Sequence, residues 1–173
     1  MNCLSMQKSA KRILAFVLAV SVVTMLSAVS VWAASPHFIK ATATKIVKTG
    51  DVKVAFIEAG LGQNTPIDYT ASATSTSNWV CVDASGTCQG PSIEGQGRSN
   101  SQVTIESGPD GKVSATLTLS PAPPSKVSIC AGGHYALADV TWSGIEITDN
   151  TNGIFEPTKP DSFQKLTLFP CGH

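Results

Sequence analysis

The chain has 173 residues, with 12 Lys and Arg balancing 12 Asp and Glu, 42% hydrophobic residues and 6% aromatic ones. A chain without an excess of basic residues lacks the electrostatic footprint of a nucleic-acid-binding protein. Its length suits one domain with a core of its own, and no repeat or second domain is visible.

The N-terminus reads as an export leader. Lys8, Lys11 and Arg12 are followed by an uncharged run from Ile13 to Ala33, and Val31 and Ala33 satisfy the small-residue rule of a cleavage site. Residues 1–33 are therefore expected to be a signal peptide and 34–173 a single domain. An uncleaved leader serving as a membrane anchor is the alternative, because about 20 apolar residues can span a bilayer. The leader takes three of the 12 basic residues, leaving nine against twelve acidic ones in the mature part. No later segment is apolar for long enough to cross a membrane, so the mature domain is not expected to be membrane-embedded.

Beyond the leader, period-2 alternation dominates and no helical stripe appears. In "DVKVAFIE", Val52, Val54 and Phe56 share one face, with Lys53 on the other. In "PIDYTASA", Ile67, Tyr69, Ala71 and Ala73 align in the same way. "CQGPSIEGQGRSNSQ" (88–102) and "SPAPPSK" (120–126) read as irregular connections, the second too rich in proline for a central strand. "QVTIESGPDGKVSATLTL" reads as a hairpin with Val103 and Ile105 on one arm and Val113, Ala115, Leu117 and Leu119 on the other. In 136–147, Ala136, Ala138, Val140 and Trp142 share a parity that Ile145 and Ile147 do not. The Ser143-Gly144 break between them suggests a β-bulge or a strand changing sheets, with a strand buried on both faces as the plainer reading. "IEITDNTNGIFEP" is a second hairpin candidate turning at Asn152-Gly153. Eight to ten short strands with regular turn signals predict an all-β fold, a single antiparallel β-sandwich of immunoglobulin-like type.

Four cysteines remain after the leader: Cys81, Cys88, Cys130 and Cys171. An even number in an exported chain reads as two disulfides. No C-x-x-C is present, so neither a zinc site nor a redox pair has the spacing it needs. Cys81 and Cys130 lie in strand-like runs far apart and suit an inter-sheet staple. Pairing Cys88 with Cys171 would pin the C-terminal end. Local pairing, 81 with 88 and 130 with 171, remains open.

Several stretches together resemble a family of exported bacterial proteins of unknown function, seen mostly in actinobacteria and their neighbours. They are "SPHF" (35–38), "EAGLG" (58–62), "WVCV" (79–82) and "CAGGHYALADVTWSGIEIT" (130–148). The resemblance covers most of the chain after the leader. It implies a one-domain β-sandwich in which Cys81 and Cys130 are the recurrent pair, and it carries no activity to transfer. Ala131 stands where family members tend to have proline, and Cys88 and Cys171 are additions to the family pattern.

No catalytic signature is present: G-x-S-x-G, phosphate loops and H-E-x-x-H are absent. "GQGRSN" has neither the strand nor the helix of a nucleotide site. "TDNTNG" (148–153) departs from the spacing of a calcium loop and reads as a hairpin turn. His37, His134 and His173 are lone histidines and read as surface residues, so no metal and no cofactor is expected. Trp79 shares the parity of Cys81 and is expected to pack against the disulfide in the core. Tyr135, His134 and Trp142 form the expected contact surface, together with loops 84–100 and 131–134, and a core position is the other reading of Trp142. The function expected is that of a non-catalytic module, secreted to the cell surface or medium, that binds an extracellular protein or a glycan. A carbohydrate- or ligand-binding domain using exposed aromatics is the alternative, and a hydrolase with paired carboxylates is the third reading.

Overall fold

The computed structural model describes residues 35–126 and 130–169. The expected leader (1–33), Cys171 and His173 lie outside the described residues. Where alternation is strongest the backbone is extended. Among the described residues there are eight strands and no helix: β1 (His37–Lys45), β2 (Val52–Ala59), β3 (Pro66–Asp83), β4 (Cys88–Glu106), β5 (Val113–Leu119), β6 (Gly133–Asp149), β7 (Ile154–Pro157) and β8 (Phe163–Thr167). They make two antiparallel sheets. One has the order β1-β2-β5, and the other runs β4-β3-β6-β7 with β8 also paired to β6.

The inner faces are those the alternation marks. Val52, Val54 and Phe56 on β2 meet Ile67, Tyr69, Ala71 and Ala73 on β3, with Val113, Leu117 and Leu119 from β5. Each large apolar side chain so enclosed contributes about 1.5–3 kcal/mol relative to exposure. β6 adds Val140, Trp142, Ile145 and Ile147 to the same cluster despite their opposite parities. The reason is a bulge. Ser72 pairs with Glu146 and Thr74 with Ser143, so Gly144 and Ile145 together oppose Ala73. Gly144 takes φ of 60°, a left-handed conformation suited to glycine, and the extra residue keeps Val140 and Trp142 facing inward together with Ile145 and Ile147, whereas Ala136 and Ala138, expected on the face of Val140, belong to the apolar cluster of the opposite face. The strand therefore stays in one sheet.

Two expectations need correction. The stretch 88–102 is not an irregular loop but most of β4, a 19-residue edge strand paired with β3 from Pro66↔Glu106 to Val82↔Cys88. The segment joining Ile105 to Val113 is not a hairpin link either. β4 belongs to the longer sheet and β5 to the shorter, so "SGPDG" carries the chain between layers. The second hairpin is present: β6 and β7 pair through Asp149↔Ile154, leaving a four-residue turn, 150–153.

β3, β4 and β6 run 17–19 residues, whereas β2 and β5 have 8 and 7, so the shorter sheet does not reach along the whole inner face of the longer. The proline-rich segment 120–125, irregular as expected, continues the cover as a strap. Ser75 Oγ accepts from Ala122 N–H, and Ser77 Oγ and Trp79 Nε1 both donate to the Ala122 carbonyl. Ser125 N–H donates to Glu94 O, and Ser99 Oγ donates to Ser120 O. Ser75 and Ser77 are fully buried, and these bonds satisfy them. The strap comes so close that a Cβ on Gly95 would collide with the Pro123 carbonyl.

Candidate binding groove

On the outer face of the longer sheet, three polar side chains converge over an apolar floor. Asn78 on β3 and Asp139 on β6 are directly paired, and the Asn78 amide donates to Asp139 Oδ1 at 2.8 Å. Lys165 on β8 places its ammonium 3.0 Å from Asp139 Oδ2. The lysine is in reach because β8 pairs with β6 there, Asp139 opposite Thr167. Asp139 keeps only 15% of its side chain exposed while Lys165 keeps 62%, so the carboxylate is fixed and the ammonium presents donors to solvent.

The floor comes from a second, smaller apolar cluster. Val80, Val82 and Ala138 are buried on this face, with Cys88, Ala136 and Phe169 packed against them. Register shifts between Asn78 and Trp79 place Asn78 opposite Asp139 and Trp79 opposite Leu137. Ala138 bulges outward, and its carbonyl accepts from the Leu168 and Phe169 amides. The far wall is Gly90, Pro91 and Ser92 on β4, and the groove measures about 400 Å³. At one end Asp83 organises the turn into β4. Its Oδ1 accepts from Ser85 Oγ (2.6 Å), Ser85 N and Thr87 N, and its Oδ2 from Gln89 Nε2 (2.7 Å). The Ser85 hydroxyl first, then the Thr87 amide, hold the Asp83 carboxyl down to about 2.

A second groove of about 450 Å³, lined by Asp68, Tyr69, Gln102, Val103, Thr104 and Asn150, has less to offer a ligand. Its polar groups are turned on one another: Thr104 Oγ1 donates to Asp68 Oδ1, and the Asn150 amide to Thr70 Oγ1.

The expected contact residues separate. His134 is exposed on the outer face, opposite Val82, two residues along the strand from the Ala136 that packs under the groove. Tyr135 is half-buried and paired with Cys81. Trp142 is corrected to the core: it is 3% exposed and its indole N–H donates to Gly50 O at 3.0 Å. Trp79 belongs to neither apolar cluster and is half-buried under the strap. His37 is also exposed, and among the described residues no three His, Cys, Asp or Glu side chains gather as a metal site would need.

Cys81 and Cys130 form a disulfide. It is not an inter-sheet staple, because Cys130 lies in the connection entering β6, which neighbours β3 in the same sheet. Cys88 is also disulfide-bonded. Its expected partner, Cys171, lies outside the described residues.

Sequence patterns left two groups unread. Asn78, Asp139 and Lys165 are ordinary polar residues on solvent-facing positions, and only strand pairing brings them together. Glu58 and Asp149, by contrast, are fully buried. The signal for these two was available: Glu58 continues the inward series of Val52, Val54 and Phe56, and Asp149 continues that of Ile145 and Ile147.

Comparison of the chain with protein-family models, with curated proteins and with solved structures finds no match.

Proposed function

We propose that this protein is an exported, non-catalytic binding module and that the groove over Asn78, Asp139 and Lys165 receives a short stretch of glycan. The observation carrying this reading is a fixed carboxylate and a solvent-facing ammonium beside a buried apolar floor. A sugar ring has an apolar C–H face and a hydroxyl rim. Val80, Ala138 and Phe169 suit the face, while Asp139 and Lys165, with Ser92 and Thr167 at the edges, suit the rim. Export is supported by the basic and apolar N-terminal pattern and by the oxidised cysteines.

The immunoglobulin-like arrangement is part of the same reading. With the strands lettered in chain order, A, B and E share one sheet and C, F and G the other, as in immunoglobulin sandwiches, and the fourth strand lies beside the third. The disulfide departs from that pattern, since it does not bridge the sheets. Nothing favours the hydrolase reading, and the buried Glu58 and Asp149 carboxyls are sealed from any polysaccharide.

The test is calorimetric titration of the purified protein with a panel of soluble oligosaccharides, repeated with Asp139→Ala. Binding to at least one glycan class, weakened at least about tenfold by the substitution, is expected for loss of a charged hydrogen-bond partner. No heat across the panel, or equal binding by the variant, would overturn the assignment.

A further inference from the structure

The opposite end of the sandwich holds a pair of carboxyls that the groove does not use. Glu58 on β2 and Asp149 at the end of β6 come from different sheets, and both side chains are 0% exposed. Neither Glu58 oxygen has a hydrogen-bond donor, and the nearby Tyr69 hydroxyl is also without a partner. A buried carboxylate with no donor is costly, and the usual escape is to hold a proton.

Asp149 is in the opposite situation. Its Oδ1 accepts the Thr151 and Asn152 backbone N–H groups at 2.8 and 2.9 Å, and its Oδ2 accepts the Asn152 side-chain amide at 2.5 Å. Three donors satisfy its oxygens, where Glu58 has none. A proton on Glu58 therefore gives one of its orphaned oxygens a partner, because the acid O–H can donate to the neighbouring Asp149 carboxyl.

We infer that Glu58 and Asp149 share one proton, and that this proton fastens the two sheets together at the β2–β6 end of the sandwich. The surroundings favour it. β3 contributes Tyr69, whose ring packs on Phe56 with centroids 4.6 Å apart. β1 contributes the exposed His37 and places Phe38 beside Glu58, and β5 contributes the uncharged Val113 opposite it. Burial first, then the Asp149 charge, push the Glu58 carboxyl up to about 7, while Tyr69 and His37 oppose the rise. Burial and the neighbouring Glu58 push the Tyr69 hydroxyl upward as well, so it stays neutral. When the proton leaves, two buried negative charges face each other and the sheets lose their link at this end.

The sign of the dependence follows from the raised value. Stability from Glu58 is fully present below its ordinary value of 4.5 and is lost as pH rises through about 7. The corresponding change in the unfolding equilibrium constant is roughly 300-fold across that window.

The experiment is urea unfolding of the purified protein at pH 5 and pH 8.5, for wild type and Glu58→Gln, with ¹³C-carboxyl NMR of Glu58 in the wild type. The wild-type midpoint should fall on going to pH 8.5. The amide introduced by Glu58→Gln can donate to Asp149 at any pH, so the variant should lack that fall and be at least as stable as wild type at pH 8.5. The Glu58 carboxyl resonance should titrate near 7. An unchanged pH dependence in the variant would overturn the proposal, as would a Glu58 resonance titrating near 4.5. If the variant does not fold, the wild-type resonance decides alone.

Discussion

Trp142 illustrates how a single side chain is committed by its partner. Its ring enters the main core, and its N–H reaches across to the Gly50 carbonyl in the β1–β2 turn, tying the longer sheet to the shorter. Trp142→Phe would keep most of the packing but leave that carbonyl unsatisfied. A loss of about 1–3 kcal/mol is expected, read as a lower urea midpoint with an unchanged slope. Trp79 bonds instead to the strap, so the two residues report on different regions. At this scale the sequence was legible where side chains are apolar, as Val52, Val54 and Phe56 show. It was read incompletely where a carboxyl occupied a core-parity position, because Glu58 and Asp149 look like surface residues until alternation is followed to the strand's end.

The elements that resisted reading are those whose stability is not local. β4 is rich in Gly, Ser, Gln and Asn, residues that mark a loop when taken singly. It is a strand because β3 offers a matching backbone edge along its length, and strand preference yields readily to such context. Gly95 then makes sense as clearance for the strap. Gly95→Ala would force a methyl group into the Pro123 carbonyl and should cost about 1–3 kcal/mol through overpacking. The displaced strap would also withdraw the Ala122 carbonyl from the Trp79 indole, so a fluorescence change should accompany the lower midpoint. An alanine variant with wild-type stability and emission would contradict the strap's role. The β6 bulge is the contrary case. A parity change across Ser143-Gly144 was visible in the sequence, and the structure shows its cause in the two residues set against Ala73.

At the scale of the molecule, two apolar clusters on opposite faces of the longer sheet define its two surfaces, one closed by the shorter sheet and one left as the floor of the groove. The Cys81–Cys130 disulfide closes a span of 49 residues that includes β4 and β5. Replacing both cysteines by serine should cost about 4 kcal/mol in the chain-entropy account, seen as a large fall in the thermal midpoint. Because the link holds the entry to β6 against β3, the loss should be felt first at the groove end of the sheet.

Period-2 alternation, the Asn-Gly turn and the proline-rich stretch determined, without reference to anything distant, that this chain forms antiparallel strands and where several of them run. Those signals are local, since facing and turning depend on residues a few positions apart. Which sheet each strand joins, why β4 is a strand, how Asn78, Asp139 and Lys165 meet, and how Glu58 comes to face Asp149 were decided only by the tertiary structure. Each depends on pairings between residues tens of positions apart, chosen by the burial summed over the whole core rather than by any stretch of sequence.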